Sequence, residues 1–156
     1  MNKATFAAGC FWCIEDDFRK KKGVLSTKVG YTGGNKKDPT YKDVCTGTTG
    51  HAEAIEIQYD PKIISYETLL DEFWAMHDPT TLNRQGPDIG TQYRSVIFYH
   101  DEEQKKAALK SKKELENSGR FNGTIVTEII PTMTFWEAED YHQQYMEKQR
   151  SCRIRY

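Results

Sequence analysis

No stretch of this 156-residue chain approaches the roughly 20 consecutive apolar residues that a membrane-crossing helix needs. Neither sign of charge dominates: 22 Lys and Arg face 23 Asp and Glu, for a net charge of −1. That balance argues against a nucleic-acid or acidic-membrane partner held by bulk charge. The opening residues Met1-Asn2-Lys3-Ala4-Thr5-Phe6 carry no long apolar region and no cleavage pattern, so no secretory leader is expected. Internal repeats and low-complexity linkers are absent as well. Cysteine is sparse, with four in the chain. In an unexported protein such residues are expected as reduced thiols rather than structural bridges. A chain of this length buries a full core without disulfides or a structural metal. One domain spanning residues 1–156, at work in the cytoplasm, is expected.

What is present concentrates in one run, Gly9-Cys10-Phe11-Trp12-Cys13-Ile14-Glu15. It sets a thiol between a predicted strand and a predicted helix. A thiol at a helix N-terminus meets unpaired N–H groups and the positive end of the helix dipole. Such surroundings lower a cysteine pKa and favour the attacking thiolate. The two aromatic rings beside it suggest an apolar wall for a small substrate group. Cys13 completes a Cys-x-x-Cys pair, which points to redox chemistry or to half a zinc site. A structural zinc needs four ligands. Neither Cys45, Cys152 nor a histidine forms a second close pair with which to supply them. Residues three apart on a helix are neighbours, so a disulfide within the pair is sterically reasonable.

Periodicity predicts a strand over 3–8, ended by Gly9, then a helix over 11–21 with Phe11, Ile14 and Phe18 on one side. A strand follows over 24–30. Residues 31–50 form a long Gly-rich loop with one helical turn near 39–45. Alternation of Ile55, Ile57 and Tyr59 predicts a half-buried strand over 53–59. Ser65 is placed to cap a helix over 66–77, whose apolar positions follow helical spacing. A second long loop covers 78–91 and a strand 92–99. Asp101 caps a helix over 102–117, with Gln104 in capping-box position and Gly119 as its stop. A strand over 124–130 and a helix over 136–148 complete the chain. The order β-α-β-loop-β-α-loop-β-α-β-α places helices on a central sheet. Loops as long as these two are usually functional.

Glu53 stands where the loop Gly47-Thr48-Thr49-Gly50-His51-Ala52 enters a strand. Enclosed by aromatic rings, its carboxyl would be desolvated, its pKa raised, and it would become a proton donor. His51 is more ordinary as a loop or core histidine. Tyr31, Tyr41 and Tyr93 lie in or beside the loops, where a hydroxyl is free to bond a substrate oxygen. Asp88, between Pro87 and Gly90, has the composition of a turn residue.

The run Gly9-Cys10-Phe11-Trp12 followed by Glu15 resembles the signature of the type A methionine sulfoxide reductases. Five further stretches match that family in order. They are Gly30-Tyr31-Thr32-Gly33-Gly34, Pro39-Thr40-Tyr41, Thr49-Gly50-His51-Ala52-Glu53, the run from Arg84-Gln85-Gly86 to Gly90-Thr91-Gln92-Tyr93-Arg94-Ser95, and Ala138-Glu139-Asp140-Tyr141-His142-Gln143-Gln144-Tyr145. The resemblance implies an α+β fold, a two-layer α/β sandwich with a ferredoxin-like core and a mixed, mostly antiparallel sheet. It implies thiol-dependent reduction of methionine-S-sulfoxide, free or in proteins, and so repair of oxidised proteins under oxidative stress. By the same resemblance Cys10 attacks the sulfoxide sulfur, and Phe11 and Trp12 hold the methyl group. Glu53 protonates the oxygen, Tyr41 and Tyr93 hydrogen-bond it, and Asp88 positions substrate or water. Cys10 becomes a sulfenic acid, a second thiol condenses with it, and thioredoxin or another external dithiol restores the enzyme. No bound cofactor, metal, nucleic acid or membrane is implied, and a monomer is expected.

The chain departs from the family pattern at two places. Many members have glycine where this chain has Cys13, and many end in a longer Gly-rich tail with recycling cysteines. Cys13, Cys152 and, less favourably, Cys45 are the resolving-thiol candidates. A general dithiol oxidoreductase is a rival reading. It lacks the proline usual between such cysteines and leaves Glu53, Tyr41 and Tyr93 without a task. A module that binds oxidised methionine without turnover is the non-enzymatic rival.

Overall fold

A computed structural model describes the backbone of residues 2–154 and the side chains of residues 2–149. Strand β1 (Asn2–Ala8) lies in the middle of a six-stranded sheet. It pairs antiparallel with β3 (Ala52–Tyr59) on one side and β6 (Ser95–Tyr99) on the other. β3 in turn pairs with β2 (Val24–Thr32), whose far edge carries the two-residue β8 (Trp136–Glu137). β7 (Glu128–Pro131) adds to β6 in parallel, the sheet's one parallel pairing among the described residues. The order is therefore β7-β6-β1-β3-β2-β8. A separate hairpin joins β4 (Arg84–Gln85) and β5 (Asp88–Ile89).

Two helices complete a βαββαβ unit: α1 (Phe11–Arg19) after β1 and α3 (Tyr66–Ala75) between β3 and β6. Its four strands lie in the order β6-β1-β3-β2, all antiparallel. That is a ferredoxin-like core in an open, mixed α+β sandwich. α4 (Glu102–Asn117) makes the crossover that lays β7 parallel to β6.

One face of the sheet presents Phe6, Ile55, Ile57 and Ile97 to Ile14 and Phe18 of α1 and Leu69, Leu70 and Phe73 of α3. Phe6 is stacked with Phe18 at 5.6 Å and with Phe73 at 5.1 Å. Each such side chain, fully buried, contributes on the order of 2 kcal/mol of transfer free energy. The opposite face is lined by smaller residues, Ala7, Ala52, Ala54 and Val96, with Phe98.

Caps fall where the sequence sets them. Ser65 Oγ accepts from the Thr68 amide at 3.1 Å, and Asp101 Oδ1 from Gln104 at 2.8 Å. Gln104 reaches one residue further back than a capping box requires, to the His100 amide, and donates to Lys3 O. Gly119 has φ +71°, a left-handed stop one residue beyond Ser118.

Four predicted elements differ. Residues 92–99 begin as a 3-10 turn (Thr91–Tyr93), and the strand starts at Ser95. Residues 124–127 are irregular and β7 begins at Glu128. The loop 78–91 contains the β4–β5 hairpin. The helix predicted over 136–148 is instead β8, a 3-10 turn (Asp140–His142) and then α5 (Tyr145–Ile154). The polar side chains of 139, 142 and 143 bond to other elements, so the chain is held open where local spacing favours a helix.

Candidate active site

Cys10 is the N-cap of α1, so β1 delivers it straight to the helix N-terminus. Gly9 makes the turn possible, with φ +96°, and a Cβ there would stand 2.8 Å from Gln85 Cγ. Tyr31 on β2 pairs in register with Glu53 on β3. Glu53 is 1% exposed, and its Oε1 accepts from the Phe11 amide at 3.2 Å. Its Oε2 is buried with no hydrogen-bond partner. Burial pushes this carboxyl up to about 8, against the pull of the Phe11 N–H, and nearby Asp88 adds to the rise. A protonated acid is thus stored beside the helix start at neutral pH.

Tyr41 opens the short helix α2 (Tyr41–Cys45), capped by Thr40. Tyr93 ends the 3-10 turn that follows Gly90. Burial, then the Cys45 thiol and Glu53, raise the Tyr41 phenol. Burial and Glu53 push Tyr93 up to about 12. Both hydroxyls stay protonated as donors. Asp88, half-buried on β5, faces the same group and helps raise both Glu53 and Tyr93. The structure therefore gathers Cys10, Glu53, Tyr41, Tyr93 and Asp88 from five separate segments.

The Phe11 ring is fully buried, 5.8 Å from Tyr31 and 5.2 Å from His142. Trp12 is half-buried, and Tyr145 stacks on its indole at 3.9 Å and 13°. Trp12 Nε1 donates to His142 Nδ1 at 2.9 Å, which puts the ring proton of His142 on Nε2.

The thiols depart from the sequence expectation. Cys10 does not carry the lowered pKa that a helix N-terminus alone would give. Its hydrogen bond with Cys13 and its burial, with Glu53 nearby, raise it, and only the Trp12 amide pulls the other way. Cys13 is exposed, and the same hydrogen bond lowers it to about 7 despite some burial and the repulsion of Asp17, Asp88 and Asp16. Both thiols line a cavity of about 220 Å³ shared with Asp17, His77, Gln85 and Asp88. Cys45 is exposed at the end of α2. The Cys152 side chain lies outside the described residues.

Several supporting residues carry no role in the sequence reading. Glu139 accepts from the Tyr31 hydroxyl at 2.8 Å and the Tyr41 amide at 3.0 Å. Burial opposes its ionisation, but these bonds outweigh burial and hold its carboxyl below the usual range. Gln143 bonds Val29 N, Val29 O and Ala138 O at 2.9 to 3.0 Å. Buried Glu15 takes the Thr27 hydroxyl at 2.7 Å and the Gln144 amide at 2.6 Å. The signal for this group is the density of polar residues in 139–144, all in one matched stretch. His51 is structural: Nδ1 accepts from Gly34 N and Nε2 bonds Lys36 O. Among the described residues no three His, Cys, Asp or Glu side chains cluster as a metal site needs. No described helix is long and apolar enough to cross a membrane.

The peptide methionine sulfoxide reductase family matches residues 2–156. The chain belongs to that family. It is 64% identical over 152 residues to the peptide methionine sulfoxide reductase of Methanothermobacter thermautotrophicus, covering 96% of this chain and 90% of the relative. Among solved structures it resembles reduced Mxr1 of Saccharomyces cerevisiae, with a TM-score of 0.90 and 42% identity over 96% of this chain and 86% of that one. Mxr1 in complex with Trx2 also matches, with a TM-score of 0.65 and 29% identity, over 92% and 84%. The chain is accordingly an oxidoreductase that reduces methionine sulfoxide.

Proposed function

We propose that the protein reduces the S epimer of methionine sulfoxide, free and in proteins, and that thioredoxin restores it. A sulfoxide oxygen is a poor leaving group until it is protonated, so the reaction needs an acid as well as a sulfur nucleophile. The buried Glu53, with one unbonded oxygen and a carboxyl pushed up to about 8, carries this reading. Cys10 attacks the sulfoxide sulfur and Glu53 protonates its oxygen. The Tyr41 and Tyr93 hydroxyls bond that oxygen as charge develops on it, and Asp88 positions substrate or water. Phe11 and Trp12 form the apolar seat of the methyl group. Methionine leaves and Cys10 is left as a sulfenic acid.

Of the resolving-thiol candidates, Cys13 is favoured by its place: it follows Cys10 by one turn of α1 and lines the same cavity. Condensation gives a Cys10–Cys13 disulfide, open to a dithiol through the adjoining cavity. The complex of Mxr1 with Trx2 supports thioredoxin as that dithiol. The protein acts as a single-domain monomer without a bound cofactor, in the cytoplasm, where reduced dithiols are maintained.

The test is NADPH oxidation coupled through thioredoxin and its reductase, with each sulfoxide epimer supplied separately. Turnover on the S epimer, abolished in Cys10→Ser, is the expected outcome. Turnover confined to the R epimer, or retained in Cys10→Ser, contradicts the assignment.

A further inference from the structure

We infer that His142 is a positioning residue for the substrate's methyl group: its Nδ1 anchors the Trp12 indole, and that anchor sets the size of the group accepted on the sulfoxide sulfur. The inference rests on the assignment of Phe11 and Trp12 as the seat of the methyl group. The two walls of that seat are held differently. Phe11 is fully buried, with Tyr31 and His142 packed against its ring, so close packing fixes it. Trp12 is only half-buried. Tyr145, itself half-buried, covers one face of the indole, which fixes their separation but leaves the ring free to slide in its own plane. The directional contact is the hydrogen bond from Trp12 Nε1 to His142 Nδ1 at 2.9 Å, between residues 130 apart in sequence.

The frame that presents this nitrogen is pinned on both sides. His142 ends the 3-10 turn that starts at Asp140. Before the turn, Glu139 takes the Tyr31 hydroxyl and the Tyr41 amide. After it, Gln143 is tied to both backbone polar atoms of Val29. The imidazole is 1% exposed, and its ring lies 4.5 Å from that of Tyr41. The same group therefore backs the phenol assigned to the sulfoxide oxygen.

Stability alone does not account for a histidine here. The Trp12 indole can only donate, so Nδ1 is the acceptor and the ring proton is on Nε2. Nε2 is buried with no hydrogen-bond partner among the described residues. A buried N–H without a partner carries a cost that an apolar side chain of similar volume does not. What the histidine supplies, and a leucine would not, is the acceptor for Trp12. With the indole held in this way, an ethyl group on the sulfoxide sulfur meets a wall that does not yield. One extra methylene in a close-fitting apolar pocket is worth about 10- to 200-fold in discrimination.

The test is the ratio of kcat/KM for methionine sulfoxide to that for ethionine sulfoxide, its S-ethyl homologue, each as the S epimer and with a small dithiol as reductant. His142→Leu keeps the bulk and deletes the acceptor. It is expected to lower the ratio about 10-fold, with ethionine sulfoxide turned over at least as fast as by wild type. His142→Asn sets Oδ1 where Nδ1 stood and is expected to hold the ratio within about 3-fold of wild type. Unchanged melting temperatures will show that the variants fold. In the wild-type protein itself, a 15N–15N coupling across the hydrogen bond between Trp12 Nε1 and His142 Nδ1 is expected. The inference is overturned if that coupling is absent, if His142→Leu keeps the wild-type ratio, or if His142→Leu and His142→Asn lower it equally. Failure of the methyl-seat assignment looks different: Trp12→Ala then keeps the wild-type ratio.

Discussion

Glu53 is kept uncharged by its surroundings, and this has a cost in stability. Its folded pKa, about 8, lies above its ordinary 4.5. The protonated form is the one the fold accommodates, so no penalty exists below the ordinary value. The penalty grows as pH rises and is complete above about 8. At about 1.4 kcal/mol per pH unit, that gap corresponds to a loss of about 5 kcal/mol at full ionisation. Glu53→Gln keeps an acceptor for the Phe11 amide and removes the charge. It is expected to be more stable than wild type by about 5 kcal/mol near pH 8.5 and no more stable at pH 4.5, read by urea unfolding at both values. Its rate of sulfoxide reduction is expected to fall by about 10² to 10⁴. The burial that keeps Glu53 protonated was legible from its place at a loop-to-strand junction. The state of Cys10 was not. A helix N-terminus is visible in sequence, whereas burial and a bond to a neighbouring thiol are products of the fold, and here they reverse the shift.

The segment 136–144 acts as a clasp over β2 and α1. Glu139 fixes the Tyr41 amide and the Tyr31 hydroxyl, His142 fixes the Trp12 indole, and Gln143 satisfies Val29 on both its polar atoms. Helical spacing suggested a continuous helix here. The spacing failed because these side chains find partners more than 90 residues away in sequence, at |i−j| of 98 to 130. Such partners cannot be read from a local window, whereas α3 and α4 were legible because their caps and apolar stripes are local. Removing Gln143 leaves the Val29 N–H without its side-chain partner. Gln143→Ala is expected to destabilise the protein by about 2 kcal/mol. In a calorimetric scan that is a fall in melting temperature of about 5 °C.

Over the whole molecule, the sheet brings distant segments to one edge of the sandwich. β1 ends at Ala8, two residues before Cys10, beside the start of β3 and Glu53, because the two strands run antiparallel at the centre of the sheet. Tyr31 reaches the same end through its register with Glu53, and the turns before β6 bring in Asp88 and Tyr93. The alternation of strands and helices was legible along the chain, but strand order was not. The order β6-β1-β3-β2 joins strands far apart in sequence and arises from burying both faces of β1 and β3. The candidate site is thus a consequence of topology, with the proposed nucleophile, Cys10, and the proposed resolving thiol, Cys13, on one helical turn. The central claim, that Cys10 is oxidised by methionine-S-sulfoxide and resolved by Cys13, is tested most directly by one turnover followed by peptide mass mapping. Both cysteines lie in the tryptic peptide 4–19. After reaction with one equivalent of the S epimer, that peptide is expected to lose two hydrogens as one methionine forms per chain. A peptide 4–19 that keeps both hydrogens, or is cross-linked to another peptide, would contradict the account.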